Sequence, residues 1–178
     1  MDPSTLKILQ GAAGAAGAST IGVEDVFKTY VYTGNDTARS INNGIDLTKG
    51  GMVWTKCRSN SSTNHYQFDT ERGATKYIKS NQQNVEGSDA NTLTSFNNNG
   101  FSLGTDSSSN ESGRTFSSWT FRKAPGFFDV VQYTGNGSNR TIAHSLGSIP
   151  GFILIKGTSD ANSRNVYHRS VGNTKYDA

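Results

Sequence analysis

The chain has 178 residues, and only 33% of them are apolar, against about 45–50% (glycine included) in ordinary globular proteins. Its net charge of +3 comes from 17 Lys and Arg residues spread singly along the chain, which excludes the basic runs that track phosphates and with them a nucleic-acid partner. One cysteine, Cys57, excludes an internal disulfide framework and a cysteine metal site, and no stretch approaches the roughly 18 apolar residues a membrane span requires.

Residues 1–22 stand apart from the rest. Ser4 or Thr5 can cap a short helix carrying Leu6, Ile8 and Leu9. The following GAAGAAGA places Gly11, Gly14 and Gly17 in a G-x-x-G-x-x-G rhythm, which builds no core of its own. It admits another backbone at close range or acts as a flexible leader, so a docking arm and a leader are both open readings. Too few strongly apolar residues occur here for a secretion signal. The single cysteine agrees with folding in a reducing cytoplasm.

From Val23 onward the pattern is strand, turn, strand. Phe27, Tyr30 and Tyr32 lead into the turn Thr33-Gly34-Asn35-Asp36. Gly51–Cys57 reads as a clear strand, and His65–Phe68 alternates as a half-buried one. Thr75–Ser80 follows a turn at Asp69–Gly73. Leu93–Phe96 and Phe101–Leu103 flank Asn97-Asn98-Asn99-Gly100, a strong hairpin signal. Thr105–Gly113, rich in Ser and Asn, reads as a mobile surface loop. Thr115–Lys123 carries the sharpest two-residue alternation, with Trp119 and Phe121 on one face and Phe116 on the other. Ala124-Pro125-Gly126 then breaks the chain. Many short strands spaced by turns predict an all-β fold, an antiparallel sandwich or jelly roll preceded by a short N-terminal arm or helix.

At Phe127 the pattern begins again. Tyr32, Arg39 and Ile41 return as Tyr133, Arg140 and Ile142 at one offset of 101 residues, and GMVWTK (51–56) returns as GFILIK (151–156) at an offset of 100. Tyr66 is matched with Tyr167, and Lys76-Tyr77 with Lys175-Tyr176. Self-similarity at a fixed period marks tandem structural units. The expected organisation is an arm over 1–22, a first β-sandwich unit over 23–126, and the first half of a homologous unit over 127–178. The equivalents of Thr92–Lys123 do not follow in the second unit. Either a longer natural chain or completion by another subunit would supply the missing strands.

GMVWTKCR, FDTERGATKYIKSN, NTLTSFNNNGFSLG, SSWTFRKAPGFFDVVQYTGNG and RTIAHSLGSIPGFILIK together resemble a repeated β domain of tailed-phage virion proteins, common in phages of marine cyanobacteria and other marine bacteria. SWTFRKAPGFFDVV and HSLGSIPG are the most specific parts, and the resemblance runs from about Val23 to the end. It implies a concanavalin-A-like lectin fold and a virion location after assembly in the host cytoplasm. It also implies a structural role without enzyme activity, as the particle-proximal part of a tail fibre. MDPSTLKILQGAAGAAGA resembles the first residues of such proteins, so Leu6, Ile8, Leu9, Gly11, Gly14 and Gly17 are the candidate particle-attachment residues. The implied partners are other virion proteins (a tail adaptor, nozzle or capsid), two further copies in a homotrimer, and a host surface glycan. A capsid decoration or head fibre, and a carbohydrate-binding module, are the alternatives. No catalytic, cofactor or metal residues are carried over by the resemblance, and no cofactor is expected.

Three chemistries remain to be placed. Asp69 and Glu71 in FDTERG have the alternating spacing of a glycosidase acid pair, yet sit at a strand end beside Arg72 and Gly73, where turns put acids anyway. His65, His144 and His168 lack metal-ligand spacing. Tyr30, Tyr66, Tyr77, Trp54 and Trp119 can offer ring faces to a sugar; Trp54 and Trp119 lie in strongly apolar strands and are expected in the core.

Overall fold

Alternation along Gly51–Cys57 sets the architecture. In the computed structural model, which describes residues 21–172, this stretch is a strand whose residues are buried and half-buried in strict turn. The elements of the first unit follow in order: α1 (Val23–Val26), β1 (Phe27–Thr33), β2 (Arg39–Asn42), a 3-10 turn at Leu47–Lys49, β3 (Gly51–Cys57) and β4 (His65–Asp69). Then come β5 (Lys76–Lys79), β6 (Gly87–Ser88), β7 (Leu93–Asn97), β8 (Gly100–Leu103), α2 (Ser107–Asn110) and β9 (Thr115–Arg122). Two more strands, β10 (Phe152–Ile155) and β11 (Asn165–His168), belong to the second unit.

A six-stranded sheet in the order β1-β9-β3-β4-β5-β6 faces a three-stranded sheet in the order β2-β8-β7, and their ladders are antiparallel. The protein is therefore all-β and sandwich-like, as its strand spacing predicts. The core lies between the sheets. Tyr32, Val53, Tyr66, Phe68 and Phe116 enter it from the large sheet, Ile41, Leu93, Phe101 and Leu103 from the small one, and Ile45 and Leu47 from the connection. Phe68, Phe101 and Phe116 are wholly buried, each contributing roughly 1.5–3 kcal/mol of transfer free energy. The β7–β8 hairpin closes at Asn97–Gly100, where its turn signal lies.

Two readings of local structure are corrected. The Ser- and Asn-rich stretch around Ser107–Asn110 is not a surface loop, because Ser109 and Asn110 are fully buried. Asn110 Nδ2 donates to the carbonyls of Thr37 and Gly104 at 2.9 and 2.8 Å, while its own carbonyl accepts from Asn35 and Asp36. A side-chain amide can satisfy several backbone groups where no ladder reaches them. The second correction concerns β4, which is buried on both faces from Tyr66 to Asp69 rather than on one. Arg72 covers its outer side, as described below. The proposed attachment residues Leu6, Ile8, Leu9, Gly11, Gly14 and Gly17, and the Lys175-Tyr176 pair, lie outside the described residues.

Candidate functional site

The two acids of FDTERG point to different partners. The turn after β4 folds Arg72 back over the strand, so its Nε meets Asp69 at 2.5 Å and its Nη2 donates to the Gln67 carbonyl at 2.9 Å. Glu86 approaches Arg72 at 3.5 Å and Lys76 at 3.7 Å, extending this into a charge cluster. Glu71 pairs instead with Lys123 at 2.9 Å. Each carboxylate is held by a cation of its own, which is the arrangement of a turn clamp and not of an acid pair sharing one substrate bond. Among the described residues, no three His, Cys, Asp or Glu side chains converge as a metal site, and no helix is long and apolar enough to cross a membrane.

His65, His144 and His168 sit in separate places. His65 Nδ1 accepts from Trp54 Nε1 at 3.1 Å, and burial together with the nearby Lys56 charge holds its pKa below the usual histidine range. His144 Nδ1 accepts from the Leu146 N–H, and His168 bonds Ser170. Cys57 is a buried core thiol.

Trp54 and Trp119 are not in the core, which corrects the expectation for both. Val53, Thr55 and Cys57 face inward on β3, so Trp54 must face outward, and the β9 alternation puts Trp119 opposite it in register. Their rings meet edge-on at 5.8 Å, with His65 on the far side of Trp54 at 5.8 Å. Both are half-buried on the outer face of the six-stranded sheet. The tyrosines behave oppositely. Tyr66 and Tyr77 pack together at 4.9 Å on the inner side, with Tyr30 against the same core.

The second unit repeats the first in its opening turn and its hairpin, although the counterparts of β1 and β2 form no strand. In both turns the Asn side chain accepts from the N–H two residues on at 3.1 Å, Asn35 from Thr37 and Asn136 from Ser138. Asp36 and Gly137 occupy matching left-handed positions at φ 53° and 72°. Arg39 lies over Tyr32 at 5.9 Å, and Arg140 lies over Tyr133 at 5.5 Å. The β10–β11 ladder pairs Ile153 with Tyr167 and Leu154 with Val166, matching Val53–Phe68 and Trp54–Gln67 of β3–β4. Tyr167 thus occupies the station of Phe68, not that of Tyr66 as the sequence match suggests. Even the closing bonds agree: Thr70 N–H to Gly51 at 3.0 Å, and Arg169 N–H to Gly151 at 2.9 Å.

What differs is burial. Among the described residues, every buried hydrophobic lies between Val26 and Ala124. Nine of the 13 exposed large apolar residues lie from Phe127 onward, including Phe152, Ile153, Leu154 and Ile155 in succession at 58, 39, 38 and 42% exposure. An apolar patch of this kind marks an interaction surface. We take this hairpin and its approaches as the candidate site.

Its seam with the first unit is polar. Lys123 Nζ bridges Glu71 and Asp129, at 2.9 and 3.0 Å, beside an open cleft that also includes His144 and Ser145. The bond to Glu71 raises the Lys123 pKa, against burial and with help from Asp129. Burial alone would raise the Asp129 carboxyl, but the Ser145 N–H and Lys123 outweigh it and hold it low. Arg164 reaches the carbonyls of Lys79 and Gln82. Nothing in the sequence reveals this seam, because Asp129 and Arg164 have no counterpart contacts inside one unit.

A family model described as a domain of unknown function, DUF7483, matches residues 23–177. No curated protein and no solved structure matches the chain.

Proposed function

Given that the chain belongs to the DUF7483 family, a domain of unknown function, we propose that it is a phage virion structural protein. In this reading it forms the particle-proximal part of a tail fibre, anchored through residues 1–22, with its β units projecting toward the host. One observation carries the reading. A finished sandwich is followed by a second unit with the same turns and hairpin, whose apolar strand Phe152–Ile155 is exposed throughout. Modules of that kind belong to assemblies, because an uncovered apolar sheet is a liability in an isolated molecule. The sequence resemblance to virion β domains supports the same role.

The test is solution mass together with immunogold labelling of purified particles. The reading expects an oligomer, a trimer in the proposed fibre, and label on the tail. A stable monomer absent from particles would sink it, and label on the shell would favour a capsid decoration or head fibre.

A second reading, a carbohydrate-binding module, draws on the half-buried Trp54–Trp119 pair on the outer sheet face. Ring faces of this kind suit pyranose stacking, but a sandwich fold alone is weak support for function. Glycan-array binding that disappears in Trp54→Ala would favour it, and a silent array would remove it.

A further inference from the structure

Two glycines in the first unit have a clear steric reason to be glycine. A Cβ on Gly34 would lie 2.2 Å from the Glu111 carbonyl oxygen, and one on Gly51 would lie 2.2 Å from that of Phe121. Both obstructing atoms are backbone of the single segment Asn110–Arg122. With Ser109 just before it, that segment caps the Tyr32 turn, the Tyr32 hydroxyl donating to the Ser109 carbonyl and Asn110 Nδ2 to that of Thr37; it stacks Phe116 on Tyr32 at 5.3 Å, and lies antiparallel along β3 as β9.

The second unit keeps the glycines without the segment. Gly135 corresponds to Gly34, and a Cβ there would meet nothing within 4 Å. At Gly151, the counterpart of Gly51, the three nearest atoms all belong to the Arg169 side chain. Neither position has the left-handed backbone that would demand glycine on its own account. Tyr133, the counterpart of Tyr32, is 45% exposed instead of 6%. The edge of β10 that corresponds to the β9 side of β3 has no strand on it among the described residues.

We propose that residues 127–168 form an acceptor for one extended segment of the Asn110–Arg122 kind, which the described residues do not themselves supply, added antiparallel along β10. The chemistry of that segment follows from the first unit: a buried Asn at the turn, then a strand with an inward Phe, small inward Ser and Thr, and outward aromatics. Main-chain ladder bonds would give affinity, and the Phe over Tyr133 would fix register. A second copy of this chain is a poor donor. Its own Asn110–Arg122 is already enclosed between β1 and β3, so exchange would vacate one site for each it fills. The inference stands on the repeat geometry and does not depend on a virion role.

The experiment uses the full chain with Cys57→Ser and a labelled synthetic peptide carrying the sequence of residues 109–123. Fluorescence anisotropy should show saturable binding. Gly135→Val should weaken it at least tenfold while leaving the unfolding midpoint of the free protein unchanged, because the added side chain meets open space there. A peptide with Trp119→Cys should form a disulfide with Leu154→Cys, following the Trp54–Trp119 register, and not with Ile153→Cys or Ile155→Cys on the opposite face. Absence of saturable binding at millimolar protein, or binding indifferent to Gly135→Val, overturns the proposal. So does trapping at Trp54→Cys, which would mean the peptide displaces the resident β9. A concentration-dependent dimer held through β10 would overturn it in favour of a second copy.

Discussion

Replacing Asn110 by alanine tests whether the buried turn at Ser107–Asn110 holds the first unit closed. The amide makes two short donations, to Thr37 and Gly104 at 2.9 and 2.8 Å, inside a site with no exposure. The longer contact that it accepts from the Asn35 N–H, at 3.3 Å, is backed by a backbone bond at 3.1 Å and adds little. Two lost bonds at about 1 kcal/mol each, plus the desolvation of carbonyls left without donors, give a cost of about 2–4 kcal/mol. For a unit of this size that lowers the melting temperature by on the order of 15 °C. Asn110→Asp should be worse than Asn110→Ala, because it sets a carboxylate against two carbonyl oxygens. Urea titration followed by Trp54 and Trp119 fluorescence measures both variants, as both residues lie in the sheet that would come apart. Asn136→Ala, in the exposed matching turn, serves as the control and should change stability by less than about 0.5 kcal/mol. A loss below about 1 kcal/mol for Asn110→Ala, or an Asp variant as stable as wild type, would refute the reasoning.

Other outcomes follow from the same geometry. Phe116→Ala should cost about 3–5 kcal/mol in the same titration, whereas Ile153→Ala, on the exposed hairpin, should leave the midpoint nearly unmoved. Asp69→Ala strands the buried Arg72 guanidinium and should cost about 2–4 kcal/mol, softened by Glu86; Glu71→Gln, at a more exposed pair, should cost under about 1 kcal/mol. For His65 the folded pKa lies below the unfolded value of about 6.5, so the unfolded chain binds more protons in that window. Its contribution to stability is therefore intact above about pH 6.5 and declines as the pH falls from there toward the folded pKa. Denaturant midpoints measured between pH 5 and 8 should show that decline in wild type and lose it in His65→Gln.

Much of the sandwich is legible in the chain because alternation and turn chemistry are local. Gly51–Cys57, Thr115–Arg122 and the Asn97–Gly100 hairpin form where their patterns indicate. The direction of a strand's alternation is less legible. Trp54 and Trp119 are the largest side chains of their strands, yet they face outward, while Thr55, Ser118 and Thr120 are buried. Asn43 Nδ2 donates to the Thr120 hydroxyl at 2.8 Å and Ser118 donates to the Tyr30 carbonyl, so small polar residues suit these inward positions; the regular parity of Val53, Thr55 and Cys57 is the available signal. The buried Asn110 is hidden for another reason. A Ser/Asn-rich run has the composition of a solvated loop, and only the three-dimensional position of Thr37 and Gly104 makes its amide a cap. The candidate site itself is half legible. Repetition of the Tyr-Thr-Gly-Asn turn and GFILIK reveals the second unit, but its exposure depends on which strands lie beside it.

The seam between the units has a consequence for how such chains can diverge. Arg164 addresses the main-chain oxygens of Lys79 and Gln82, Lys156 that of Gln83, and the Glu86 N–H meets the Thr158 carbonyl. Apart from Gln83 with Ser163, the contacts on the first-unit side of this turn are to backbone atoms, which every amino acid carries. Substitutions across 79–85, Gln83 apart, can therefore accumulate without loosening the junction, provided the turn keeps its path; Glu86 is held separately by Arg72 and Lys76. Relatives of this chain should show this turn constant in path and variable in sequence, with the constraint concentrated in Lys156 and Arg164 opposite it and, elsewhere along the seam, in the Lys123–Asp129 pair.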